Sequence, residues 1–130
     1  MLCSFDGDAD RVVFHRFSSI SDCGDSIWSL IDGDKISCLL SIVLYNELKA
    51  ANLLERFTYG VVQTAYANGA STNYLREQGV PIVVAKTGVK FLHHKALLFD
   101  VGLYFEANGH GTVLFSEKML AHLTATDASK

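Results

Sequence analysis

From Tyr59 onwards the chain alternates between two hydrophobic periods, and this alternation limits its possible folds more than any other feature. "YGVVQTAY" is a strand-length apolar run, and "NGASTNYLREQG" then reads as a short helix with Ser71 or Thr72 at its start and Gly79 at its end. "VPIVVAK" is an almost unbroken β-branched run, the pattern of a strand buried on both faces. "TGVKFLHHKALLF" returns to helical spacing through Val89, Leu92, Ala96 and Phe99. "VGLYFEAN" and "GTVLFS" read as a strand pair around "GHG", before a last helix from about Glu117. Strand–helix–strand–helix–strand order predicts an α/β chain: a layered α/β/α domain with a mixed, mainly parallel sheet and helices on both faces.

Ahead of this domain, "RVVFHRF" and "SIWSLID" are short strands joined as a hairpin by the polar "SSISDCGD". After Asp32-Gly33-Asp34 the period becomes helical. Ile36, Leu39, Leu40, Val43, Leu44 and Leu48 share one face, with Lys35, Ser41 and Lys49 largely elsewhere, and Asp32 or Asp34 is placed to cap the helix. With 49% apolar and 19% charged residues, 130 residues suffice for one folded domain with a real core.

Composition excludes several function classes. A net charge of −3 with scattered lysines and arginines gives no footprint for nucleic acid. The three cysteines lack C-x-x-C spacing, which predicts reduced, buried thiols rather than a disulfide scaffold. "MLCSF" lacks the basic start of a signal peptide, and "CLLSIVLY" is far shorter than the roughly 18 apolar residues of a membrane span. The expectation is a soluble, cytoplasmic protein without a membrane partner.

Two stretches carry chemistry. In "SFDGDADR", Asp6, Asp8 and Asp10 stand at every second position and can converge hard oxygens on Mg²⁺ or Ca²⁺. An EF-hand is ruled out, because the required Gly and Glu positions hold Arg11 and Phe17. An aspartyl phosphatase fits poorly, since the second aspartate leads into Ala9 and Asp10. A divalent-metal loop and a solvated polar turn both stay open on these residues alone. In "FEANGHGT", Glu106, Asn108 and His110 also alternate, so extended backbone places them on one side, where carboxylate, amide and imidazole suit sugar hydroxyls. The bland alternative is a hairpin tip with an Asn-Gly turn. Ser71 has no base placed for it and reads as a cap or phosphate-side contact. Adjacent His93 and His94 point about 100° apart on a helix, so one packs and the other faces solvent.

Together, "SFDGDADRVVF", "LIDGDKI", "GVVQTAYANGAST", "AKTGVKFLHHKA" and "FDVGLYFEANGHGTVLFSE" resemble, in order, segments of the phosphohexomutase superfamily and, within it, the phosphoacetylglucosamine mutases. The resemblance implies that Asp6, Asp8 and Asp10 hold Mg²⁺ and that Arg11 stands beside the reacting phosphate. Glu106, Asn108 and His110 match the sugar-reading loop, and Lys90, after Thr87-Gly88, falls in another substrate-facing loop. Residues 1–24 then correspond to the end of a metal-binding domain, a β-hairpin remnant, and residues 25–130 to a sugar-binding third domain. The family interconverts N-acetylglucosamine 6-phosphate and 1-phosphate, in UDP-N-acetylglucosamine biosynthesis, through a phosphoserine and a bisphosphate. The phosphoserine loop and the fourth-domain phosphate loop have no counterpart in these residues. The resemblance therefore implies an inactive isolated chain that binds Mg²⁺ weakly and associates with the missing domains or a full-length mutase. The alternative is a non-catalytic module that binds phosphosugars or associates with a mutase.

Overall fold

A computed structural model of the chain describes residues 1–19 and 26–127. Strands β1 (Leu2–Phe5), β2 (Val12–Ser19) and β3 (Ser26–Ile31) form a three-stranded antiparallel sheet in that order. Helix α1 (Gly33–Ala50) leads into the second sheet, built from β4 (Tyr59–Thr64), β5 (Ile82–Ala85), β6 (Val101–Phe105) and β7 (Gly111–Phe115). Its order is β5-β4-β6-β7, with β4 parallel to both neighbours and β6–β7 antiparallel. Helices α2 (Gly69–Glu77) and α3 (Val89–Ala96) make the crossovers, and α4 (Glu117–Asp127) is the last described element.

Side-chain alternation on β4 and β6 builds two cores. Val61 and Leu103 face Ile36 and Leu48 of α1, Leu75 of α2 and Met119 of α4. Val62 and Tyr104 face Leu92 and Ala96 of α3. Neighbouring residues in a strand point to opposite faces, so one Val-Val pair serves both layers. The mixed, mainly parallel α/β/α arrangement is the expected one.

Several local expectations are corrected. On α1 the buried residues include Ser37 and Ser41, while Leu39 and Val43 are exposed. Small side chains bring the helix close to the sheet, near enough for the Tyr59 hydroxyl to donate to the Ser41 carbonyl at 3.0 Å. β5 is an edge strand with Val84 half exposed, not a strand buried on both faces. Asn68, not Ser71 or Thr72, caps α2 by accepting from the Ala70 N–H, and the Ser71 hydroxyl donates to the Asn68 carbonyl. Asp32 caps α1 through the Lys35 N–H. Cys3 is exposed rather than buried, Cys38 is half-buried, and Cys23 lies outside the described residues, as does most of the linker "SSISDCGD".

The hairpin is in fact a three-stranded sheet, because β1 adds to β2 with Leu2 opposite His15 and Phe5 opposite Val12. Its inner face, through Val12, Phe14 and Ile31, packs on the main core. A division between residues 24 and 25 would pass between the paired strands β2 and β3.

Candidate metal and sugar-binding site

The loop between β1 and β2 folds back on itself through a tight turn. The Ala9 N–H donates to the Asp6 carbonyl at 3.2 Å, and Ala9 sits at φ 59, a left-handed conformation unusual for a residue with a Cβ. This reversal gathers Asp6, Asp8 and Asp10, each offering a carboxylate oxygen within 4.8 Å of the others. Among the described residues this is the one cluster of three or more metal-ligating side chains.

Arg11 closes the loop. Its N–H donates to Asp6 Oδ1 at 3.2 Å, and its Nε lies 3.6 Å from both Asp6 and Asp10. Desolvation works to raise the Asp6 carboxyl, but the Arg11 N–H, the guanidinium and the neighbouring carboxyls outweigh it and hold Asp6 below its ordinary value. Three clustered carboxylates repel one another, and a single guanidinium offsets them only in part. Three hard carboxylate oxygens gathered this closely are a donor set suited to a hard divalent cation.

The loop between β6 and β7 meets this cluster directly. His110 donates from Nδ1 to Asp10 Oδ2 at 3.0 Å, and its backbone bridges Arg11. The Val12 N–H donates to the Gly109 carbonyl at 3.2 Å. Gly109 has φ +90, and a Cβ there would lie 2.1 Å from the Val12 carbonyl oxygen, so only glycine permits this approach. Asn108 Oδ1 accepts from the His110 N–H at 3.0 Å, which leaves its amide NH₂ available. A cavity of about 280 Å³ opens between the loops, lined by Ser4, Phe5, Asp6, Arg11, Val13 and Asn108. Two larger clefts, of about 400 and 370 Å³, lie elsewhere, and neither contains a cluster of carboxylates.

Six of the residues expected from the sequence to form the site, together with Glu106 at the base of the loop, are thus joined in one place. Lys90 is not among them. It lies exposed in the first turn of α3, on the other side of the sheet from α1, without a hydrogen bond or ion pair among the described residues. Sequence reasoning missed Gly33, whose N–H donates to the Ala107 carbonyl at 3.1 Å. The "DGD" around it is visible in the sequence as a helix start and as part of the family-like "LIDGDKI", but neither reading places Gly33 against this loop.

The family model for phosphoacetylglucosamine mutase AMG1, domain III, matches residues 32–130. The phosphoacetylglucosamine mutase of Arabidopsis thaliana is 53% identical over 129 residues, which cover 96% of this chain and 23% of that protein. The Homo sapiens phosphoacetylglucosamine mutase is 56% identical over 115 residues, covering 88% of this chain and 20% of the relative. The structure of Aspergillus fumigatus N-acetylphosphoglucosamine mutase in complex with GlcNAc-6P and magnesium superposes with a TM-score of 0.84 at 46% identity, over 95% of this chain and 22% of that one. The chain spans under a quarter of the length of these relatives. On the extent of the domain match, the chain belongs to the phosphoacetylglucosamine mutase family.

Proposed function

We propose that this chain supplies the Mg²⁺ loop and the sugar-reading domain of a phosphoacetylglucosamine mutase, the isomerase that moves a phosphoryl group between the 6- and 1-oxygens of N-acetylglucosamine. The observation that carries this reading is the Asp10–His110 contact, which sets the acidic cluster against the Glu106–His110 loop. Asp6, Asp8 and Asp10 would hold Mg²⁺. When bound, the ion draws negative charge from phosphoryl oxygens. The Arg11 guanidinium, half exposed beside the cluster, is available to a phosphate as a second positive group. The Glu106 carboxylate accepts from sugar hydroxyls, the free Asn108 NH₂ donates to them, and His110 keeps Nε2 for the ligand while Nδ1 stays on Asp10. Lys90, in the first turn of α3, stands apart from these two loops and would act on a ligand only from there.

No phosphoserine donor is assigned within these residues, so turnover depends on further mutase segments in the same or a partner polypeptide. The outward face of the β1–β3 sheet suits such contact, because Leu2, Phe17 and Trp28 are all more than half exposed on it. Residues 1–31 then act as the metal-loop unit and residues 32–130 as the sugar-binding unit, a division that keeps β2 and β3 together. Free thiols at Cys3 and Cys38 support a reducing, cytoplasmic setting. No described helix is long and apolar enough to cross a membrane.

Titration of the isotopically labelled chain with N-acetylglucosamine 6-phosphate, with and without Mg²⁺, tests this. The reading predicts amide shifts concentrated in residues 5–12 and 106–110, and no isomerisation by the pure chain with bisphosphate activator. Absence of any localised shift at millimolar sugar phosphate would contradict it.

A further inference from the structure

The first turn of α1 is bonded on both sides to loops at the carboxyl ends of the parallel strands. On one side Gly33 donates its N–H to the Ala107 carbonyl, inside the sugar loop. The approach is so close that a Cβ on Gly33 would lie 1.8 Å from the Glu106 carbonyl oxygen and 2.9 Å from the Gly109 nitrogen. On the other side Asp34 accepts the Asn68 N–H at 2.9 Å, and Asn68 caps α2. Gly109 in turn holds Val12, at the end of the metal loop.

Asp34 is 6% exposed, and its one described hydrogen bond is to Asn68. Burying a carboxylate this way opposes folding, and an apolar residue would fill the space without that cost. What the carboxylate adds is a fixed link between the turn carrying Gly33 and the start of α2. Negative charge at that point also meets the positive end of α2.

We infer that Gly33 and Asp34 are positioning residues for the sugar loop: Asp34 anchors the first turn of α1 to α2, and Gly33 on that turn sets where Glu106–His110 lies against the metal loop. This rests on the sugar-binding role proposed above. Without Asp34 the turn can shift away from Ala107. With a Cβ at position 33 the loop is displaced outright, because backbone atoms at 1.8 Å cannot be accommodated.

Three variants of the 130-residue chain test the inference: Gly33→Ala, Asp34→Ala and Asp34→Asn. Each is measured for folding by circular dichroism, for amide hydrogen exchange at Gly33, Asn68 and Gly109, and for affinity toward N-acetylglucosamine 6-phosphate. Asp34→Asn, which keeps an acceptor, should stay within twofold of the parent in affinity. Asp34→Ala should speed exchange at Asn68 and Gly33 at least tenfold and weaken sugar affinity about fivefold, with core amides such as Leu103 unchanged. Gly33→Ala should weaken affinity at least tenfold, and if it fails to fold, Asp34→Ala decides. A folded Asp34→Ala with parental exchange at Gly33 and Gly109 and parental affinity overturns the inference. If the parent chain binds no sugar phosphate, the functional reading falls, while the exchange rates still decide whether these residues position the loop.

Discussion

His110 Nδ1 and Asp10 Oδ2 lie 3.0 Å apart across 100 residues of sequence, joining the acidic loop to the β6–β7 loop, the proposed sugar loop. A carboxylate can only accept, so the imidazole donates and its orientation is fixed. The same bond occupies Asp10 Oδ2, while Asp10 Oδ1 lies 3.6 Å from Arg11 Nε.

Removing that orienting partner should weaken metal binding. His110→Ala is expected to lower Mg²⁺ affinity about tenfold, the lower end of what outer-shell partners contribute. Competition against Mn²⁺, followed by electron paramagnetic resonance, measures it. His110→Gln, which retains a donor, should recover part of the loss.

Ala9 gives the metal loop its reversal at φ 59. Glycine adopts this conformation freely, whereas a β-branched residue strongly resists it. Ala9→Gly should therefore keep parental Mn²⁺ affinity, and Ala9→Val should lose it at least tenfold while the α/β domain keeps its circular dichroism spectrum. Equal affinity in both variants would show that the turn does not gather the carboxylates.

Helix α1 should respond to substitution in the opposite way to its hydrophobic pattern. Leu39→Ser removes an exposed side chain and should cost less than about 0.5 kcal/mol. Ser41→Leu forces a large group into a fully buried position and should cost about 1–3 kcal/mol. Urea unfolding of both variants gives the comparison.

The layer order was legible in the sequence because periods of two and 3.6 alternate cleanly from Tyr59 to Phe115. The face of α1 was legible only in part: Ile36, Leu40, Leu44 and Leu48 pack on the core as expected, but Leu39 and Val43 are exposed. Its leucines spread around much of the helix, and only tertiary packing selects Ser37 and Ser41 for the close contact with the sheet. Likewise, Asp6, Asp8, Asp10, Glu106, Asn108 and His110 stood out by alternation, but nothing local could bring Asp10 to His110. That meeting depends on Gly109 and Gly33, two glycines whose value lies in the backbone they allow to approach. β1 was hidden for a similar reason, being four residues long and exposed throughout.

Two aspartates should give pH dependences of opposite sign. Burial raises the Asp34 carboxyl above its ordinary value, partly opposed by the Asn68 N–H. Its contribution is fully present at low pH and is lost as pH rises through the raised value, so Asp34→Asn should be more stable than the parent at pH 7 and equal to it below about pH 4. Asp100 is lowered by the Thr58 N–H and the Ser116 hydroxyl, against a smaller desolvation effect. Its contribution is present above about pH 4 and is lost as pH falls through the lowered value, so Asp100→Asn should be the less stable chain at pH 7 and converge with the parent in acid. Thermal unfolding across pH 2.5–8 separates the two curves.

The joining of metal loop and sugar loop is tested most directly by paramagnetic broadening with substoichiometric Mn²⁺, a hard cation that accepts the same oxygen ligands as Mg²⁺. If the two loops form one site, the amide signals of residues 6–11 and of Gly109 and His110 weaken first and together, ahead of those of Thr58 and Asp100 at the far end of the strands. Broadening confined to residues 6–11, or spread evenly over the chain, would contradict it.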